Sequence, residues 1–469
     1  MNNPLAPAPS LAGLNTLGPI MAFVTILLTT SIQPAYAKQA HNEKPMELSG
    51  FSLSEAYDIK DDQPLSVDAL MIEKLLYRIK RTSPKSRHAY SRYSQSLSWD
   101  DIVNKTEDHR LWVFDRRARL KKTTKQKFAN VIKGAEIKGA FICHCVTTDG
   151  DPFLVLSRTM PNALQSDGAR DELVQVTGFL YGRASGWAGS SQNDNADQTN
   201  VPVFIADRLS WFPEKTSDTV SDSLVRLANA GVDIGLLDTV RESNTQPLKG
   251  KDAEAFFQML SGVKEMKSGI GVQPRLGFAD LMQKANSHFG QAVRIKGVVR
   301  RCTPIPQSES DIQDRLGISN YYELIIFPDL DGAKIIVKNK DGGQLDYQRF
   351  PVTVCCTELP EGMSPSDIER KPFVVDGFFF RFWKYQSDKT DLAGTSGQVS
   401  PLIITNSPIE VKSQRGILNS VMLILTIGFI AVLVAVIYGF RVADRTQKSP
   451  SEKMLETLPK RIDLSGIDD

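Results

Sequence analysis

Cys143, His144 and Cys145 stand side by side. Thiol and imidazole are the ligand types that hold zinc. On a strand, however, successive side chains point to opposite faces, so the two thiols share one side and the imidazole takes the other. One metal could not readily take all three, and no second cluster follows at metal-binding spacing. The expectation is a half-buried strand. The remaining histidines, His41, His88, His109 and His288, form no i, i+4 pair. His109 and His288 each close a short amphipathic stretch, where an imidazole suits the last carbonyls of a helix. No nucleophile or carboxylate recurs beside them. Nucleophile elbows, Walker loops and dinucleotide fingerprints are absent. Asp341-Gly342-Gly343 makes a turn, and Asp329 and Asp331 near Gly332 lack the further ligands of a calcium loop. No catalytic, cofactor-binding or metal-binding residue is therefore assigned, no cofactor is expected, and a binding or scaffolding role is favoured, with an envelope enzyme whose site lies between two modules as the alternative.

What remains is a surface that could hold a ligand. Arg78, Lys80, Arg81, Lys85, Arg87 and Arg92 are interleaved with Tyr90 and Tyr93. Arg116, Arg117, Arg119, Lys121 and Lys122 follow. Phe378, Phe379, Phe380, Phe382, Trp383 and Tyr385 form an aromatic cluster, with half of it expected inside a barrel and packing between repeats as the favoured use of the rest. The ligand-surface candidates are Arg116, Arg117, Arg119, Lys121, Lys122, Phe380, Phe382, Trp383 and Tyr385. Basic and aromatic residues on a small barrel can grip single-stranded nucleic acid. They also suit anionic lipid, polysaccharide or an envelope protein. With 56 basic and 54 acidic residues, the whole chain gives no general drive toward nucleic acid, which is the least favoured partner.

The elements that carry these residues are written twice. Pro152 to Ala206 aligns without a gap to Pro351–Thr405, matching Pro152, Val155, Pro161, Val176, Gly178, Phe179, Pro202 and Ile205 with identical residues. Upstream, Gln63-Pro64-Leu65 is echoed by Gln246-Pro247-Leu248, each placed at the opening of a helical stretch. Leu70, Leu75, Leu76 and Ile79 recur at helical spacing in one copy, and Phe256, Met259, Leu260 and Val263 in the other. A second short helix is expected at Trp99–His109 and Phe278–His288. Five strands follow in each copy, beginning with 111–114 and 292–299. Five strands with the longest connection between the third and fourth is the strand count of an OB-like barrel. Gly178 and Gly377 sit inside the fourth strands, where glycine marks a bulge or a barrel corner. Gly189–Asn200 and Asp388–Ser400 read as loops before the last strand.

The fold class expected is α+β: two tandem helix–helix–five-stranded OB-like modules over 62–213 and 246–410, joined by a partly helical connector over 214–245. Two apolar segments set the topology. Pro19–Ile32 followed by Ala35-Tyr36-Ala37 reads as a signal peptide over 1–37, with an uncleaved anchor as the other reading. Ile417 to Phe440 carries no charge and meets the requirement of about 20 apolar residues for a transmembrane helix. Arg441, Arg445, Lys448, Lys453, Lys460 and Arg461 follow it, against Lys412 and Arg415 before it. That excess puts the tail over 441–469 in the cytoplasm and the bulk outside, as a single-pass type I protein of the cell envelope. The five cysteines, an odd number, leave open both disulfides and buried free thiols.

The run Val354-Cys355-Cys356-Thr357-Glu358-Leu359-Pro360-Glu361-Gly362-Met363, then Val375-Asp376-Gly377-Phe378-Phe379-Phe380, resembles a group of predicted membrane proteins of planctomycete-type bacteria. Ala230-Gly231-Val232-Asp233-Ile234-Gly235-Leu236-Leu237-Asp238 is similar too. The resemblance covers most of the exterior part. It supports the duplicated architecture and implies no activity.

Overall fold

The computed structural model describes residues 59–65, 70–128, 137–187, 200–247, 250–266, 269–273, 275–283, 287–330, 335–338, 344–347, 350–385, 398–411 and 415–446. They form a mixed α+β protein with two six-stranded sheets and one long apolar helix near the C-terminus. In the first sheet are β1 (Gln63–Leu65), β2 (Val113–Lys127), β3 (Gly139–Thr147), β4 (Pro152–Thr159), β5 (Gly168–Trp187) and β6 (Val201–Trp211). The second contains β7 (Ala292–Pro306), β8 (Asn320–Pro328), β11 (Val352–Cys356), β12 (Pro372–Tyr385), β13 (Gln398–Thr405) and β14 (Ile409–Glu410), and β9 (Ile335–Lys338) pairs with β10 (Gln344–Tyr347) as a separate hairpin.

Both sheets close on themselves. The first runs β5-β2-β3-β4-β6, and β5 also pairs with β6. The second runs β12-β7-β8-β11-β13, and β12 also pairs with β13. In each ring the third and fifth strands are parallel and the other neighbours antiparallel. Closure removes the edges that would otherwise template association.

The correspondence extends to single residues. The first strand of each ring is bulged at matching places, Leu120/Lys122 and Val299/Arg301. Leu111 (φ 64°) and Gly290 (φ 72°) both turn left-handed before that strand. Their amides donate to Leu180 O and Phe379 O at 2.7 Å each. Bulges turn a strand sharply, which a small barrel needs at its corners.

The helices are α1 (Leu70–Arg81), α2 (Pro84–Ser91), α3 (Trp99–Asn104), α4 (Asp222–Asn229), α5 (Leu237–Glu242), α6 (Ala253–Glu265), α7 (Phe278–Gln283), α8 (Ser310–Leu316), α9 (Pro365–Ile368) and α10 (Arg415–Thr446). In α1, Ile72, Leu75, Leu76 and Ile79 fall at i, i+3, i+4 and i+7 and are fully buried against the first barrel. Burial of each is worth about 1.5–3 kcal/mol. A second apolar cluster is continuous from Phe114, Val155 and Val176 of the first barrel to Phe378 and Ile404 of the second. Leu224, Leu227, Met259 and Leu260 bridge the two. The connector is therefore part of a core and holds the barrels together.

Several expectations change. Gln63–Leu65 is a strand, pairing in parallel with β5, because the exposed rim of β5 offers backbone partners that outweigh the helix-start signal of Pro64. The first short helix ends at Asn104, so His109 lies beyond it in a turn, and His288 is likewise outside a helix. The first strand starts at Val113 and reaches Lys127, with Ala118, Leu120 and Thr123 buried between exposed basic residues. β13 begins at Gln398, inside the expected loop. The signal segment, nearly all of both loops, and the tail after Thr446 lie outside the described residues. Within α10, Val421–Ala443 has a mean hydropathy of 2.9 and none of it is covered by the rest of the protein, so it is long and apolar enough to cross a membrane.

Candidate functional site

The first barrel, the connector and the helices of the second copy enclose a polar cleft of about 520 Å³. Its near wall is built by strand alternation. Asp115 on β2 faces Thr177 on β5 in register, and Gln175 lies two residues along on the same face. Thr177 Oγ1 donates to Asp115 Oδ1 at 2.9 Å, and Gln175 Nε2 donates to both carboxylate oxygens at 2.8 and 2.9 Å. Arg208 and Ser210 on β6 continue this wall.

A short helix roofs the cleft. Ser83 caps α2 by accepting the Ser86 amide at 3.1 Å, and Pro84 occupies its first turn. One turn on, α2 presents Arg87 and His88. Arg87 donates to Asp207 at 3.1 Å, and Arg158 meets the same carboxylate at 2.6 Å.

The floor comes from the connector. Asp233, 2% exposed, is ion-paired with Arg208 and accepts the amides of Trp211 (2.9 Å) and Gly235 (3.0 Å) through Oδ1. Burial pushes the Arg208 guanidinium down to about 10, against the pull of nearby carboxylates. The far wall is α6 with Glu254, Gln258 and Ser261, and α8 with Arg315. Arg315 donates bidentately to Glu254, at 2.9 Å to each oxygen, and through Nε to Asp311 at 3.1 Å. Burial alone would raise the Glu254 pKa, but the hydrogen bond and charge of Arg315 outweigh it and hold that carboxyl below its ordinary value.

Most charges in the cleft are thus matched by a partner. His88, Asp115 and Lys251 make no ion pair there among the described residues. Burial, then Arg92 and Arg315, lowers the His88 pKa, which keeps the imidazole neutral, while Asp311 and Asp115 pull it the other way. Asp115, Gln175, Thr177, Gln258, Ser210 and neutral His88 can exchange hydrogen bonds with a bound molecule. No nucleophile with an adjacent base is assembled among the described residues.

The surface anticipated from sequence is divided between the two barrels. Arg116, Arg117, Arg119, Lys121 and Lys122 lie on β2, whereas Phe380, Phe382, Trp383 and Tyr385 lie on β12. Arg116 is half-buried and donates to the carbonyls of Ser94 and Leu97 at 3.0 Å each. Arg117 lies 5.9 Å over the Phe212 ring. Arg119 pairs with Glu214 and Lys121 with Asp171, both at 2.6 Å. Lys122 is half-buried opposite His144. Phe380 and Phe382 are buried and offer no exposed ring. Trp383 is half-buried and donates Nε1 to Thr353 Oγ1 at 3.1 Å, and the Tyr385 side chain lies outside the described residues.

Sequence reading passed over Arg381, which sits among those aromatics. It is fully buried and donates to Asp252 and to Ser243 Oγ at 2.6 Å each, and to the carbonyl of Gln246. Its signal was a lone arginine inside an apolar strand. Cys143 and Cys145 face one apolar core while His144 faces the other side, where it too is buried beside Ile142, so this strand is covered on both faces rather than half-buried, and all five thiols are free and buried. Burial pushes Cys143 up to about 12. No group of three or more His, Cys, Asp or Glu residues is placed to hold a metal among the described residues. The His109 ring packs edge-on against Trp112, 4.8 Å between centroids.

The chain matches no protein-family model and no curated protein. Among solved structures it is similar to a deletion mutant of the single-stranded DNA binding protein from Thermus aquaticus. That match has 8% identity and a TM-score of 0.15, and covers 64% of this chain and 94% of that one. It is also similar to a replication protein A heterotrimer bound to ssDNA, with 6% identity and a TM-score of 0.17, over 70% of this chain and 72% of that one. Likenesses this low carry no argument about what this chain does.

Proposed function

We propose that this chain is a single-pass envelope protein that holds two OB-like barrels outside the cytoplasm and binds a small polar molecule in the cleft between the first barrel, the connector and the helices of the second copy. The cleft of about 520 Å³ is the observation that carries the binding role. Its size fits a small-molecule site, and its lining offers several convergent polar groups. Because its arginines are neutralised by Asp207, Asp233, Glu254 and Asp311, the suited ligand has a net charge near zero, such as a neutral saccharide or a zwitterion.

Support for the OB-like assignment comes from the strand plan. Five strands close a ring, the third and fifth are parallel, and a helical turn interrupts the connection between third and fourth at Asn162–Leu164 and at α9. Support for anchoring comes from the uncovered apolar stretch Val421–Ala443, and for orientation from the basic residues after it. Nucleic acid is disfavoured, because a single-strand groove needs unpaired basic residues beside exposed rings. Here Arg119 and Lys121 are paired and Phe380 and Phe382 are buried.

The test is thermal unfolding of the full chain in detergent against neutral saccharides and amino acids. A ligand should raise the melting temperature of the parent protein, and Asp115→Leu should abolish that rise. If none of these probes raises it, or if the rise survives Asp115→Leu, the cleft is not the binding site.

A further inference from the structure

Outside α10, the described residues expose only two large hydrophobic side chains, Tyr93 at 36% and Ile409 at 53%. Ile409 lies on β14, which pairs with β12 through Val374. It rims a second cavity of about 650 Å³ together with Phe278, Val374, Arg294 and Lys296. The Phe278 ring is backed by Phe350, 6.2 Å away. The Lys296 ammonium is exposed and makes no ion pair among the described residues, and Arg294 and Arg275 share the single carboxylate of Asp376. Asp329 also lines the groove, its amide donating to Lys296 O at 2.9 Å. The groove therefore has an apolar floor and a rim of mixed charge, in which Lys296, Arg294 and the adjacent Arg275 outnumber Asp329 and Asp376.

Its place in the chain says what covers it. β14 ends at Glu410 and α10 begins at Arg415. An extended chain advances about 3.4 Å per residue, so the groove is tethered within about 17 Å of the apolar helix. Lys412 and Arg415 add positive charge between them.

We propose that this groove takes an anionic phospholipid from the leaflet in which α10 begins. Ile409, Phe278 and Val374 meet the glycerol and upper acyl region, and Lys296 and Arg294 reach the phosphate. The second barrel is thereby held flat on the bilayer. This inference rests on the membrane anchoring proposed above.

The test uses the full chain in nanodiscs, with Ile409→Cys carrying an environment-sensitive fluorophore. The native thiols are all buried and should stay unlabelled. Leu433→Cys, labelled separately, reports on the span. Discs contain phosphatidylcholine alone or mixed with phosphatidylglycerol, with a headgroup-level spin-labelled lipid for the first site and a deep one for the second. The label at 409 should be quenched in phosphatidylglycerol discs and much less in phosphatidylcholine discs. Lys296→Ala should lower that preference about fivefold, the effect of one basic residue near an anionic surface. A water-exposed label at 409 in both discs, with the label at 433 quenched, overturns the groove and leaves the anchor standing. Equal quenching in both discs overturns headgroup recognition. Shielding that grows with the number of chains per disc assigns the groove to a second copy and also overturns the proposal. An unquenched label at 433 removes the anchor, and the groove proposal falls with it.

Discussion

Asp62 and Thr245 occupy the same place in the two copies. Both have a φ of 62°, and their amides donate to Arg183 O at 3.2 Å and Phe382 O at 2.9 Å, on matching fourth strands. Gln63–Leu65 of the first copy is thus an edge strand laid along the fourth strand, and in the second copy Gln246 O accepts the Lys384 amide of the fourth strand at 3.3 Å. Left-handed backbone costs a non-glycine residue about 1–2 kcal/mol, more readily tolerated by Asp than by a β-branched residue. Thr245→Gly should therefore stabilise the protein by about 1 kcal/mol. Asp62→Gly should be near neutral, because it also loses the 2.9 Å ion pair of Asp62 with Arg183. Chemical denaturation of the two variants checks this.

Gly178 and Gly377 close the two rings in the same way. A Cβ on Gly178 would fall 2.7 Å from Ile205 O, and one on Gly377 would fall 2.7 Å from Ile404 O. Both obstacles are backbone and cannot rotate away. Gly178→Ala and Gly377→Ala should each destabilise by about 2–3 kcal/mol, the range for overpacking a core. Similar losses in melting temperature are the expected result.

Arg381 is the costliest single charge to disturb. Removing one partner of a buried ion pair costs about 3–5 kcal/mol. Arg381→Ala should lose that much, and Arg381→Lys should not restore it, because a single ammonium cannot reach Asp252, Ser243 and Gln246 together. Equilibrium unfolding of the two variants, with near-ultraviolet circular dichroism to follow packing of the second barrel, measures both effects.

Stability should fall on mild acidification. His88 and His109 are both held below the ordinary 6.5, chiefly by burial. As pH drops through 6.5 the unfolded chain takes up protons that the folded chain refuses, so stability declines until the lowered folded values are passed. Glu254 adds a second decline below 4.5 as its carboxyl, held low by Arg315, is protonated in the unfolded chain first. His88→Gln should flatten the upper part of a stability–pH curve and leave the lower part unchanged.

Local regularity made the architecture legible. Leu75, Leu76 and Ile79 recur at helical spacing, and Val293, Ile295 and Val299 alternate as a strand. The gapless repeat exposed the matching fourth strands. The cleft was not legible, because Asp115, Gln175, Arg208, Asp233, Glu254 and Arg315 come from six separate segments that only the fold brings together. Arg381 was hidden for the same reason, since its partners Ser243 and Asp252 lie at the end of the connector and just before α6. Gln63–Leu65 is a strand where a helix start was expected, because proline fits an edge strand as well as a first helical turn.

The central claim, an anchored chain with its barrels outside, is tested most directly by labelling with a membrane-impermeant maleimide. Thr148→Cys places a thiol in the exposed turn between β3 and β4, and Ser451→Cys places one in the tail. In spheroplasts the thiol at 148 should react at once, and that at 451 only after the membrane is permeabilised. Immediate reaction at 451 with protection at 148 would contradict the account.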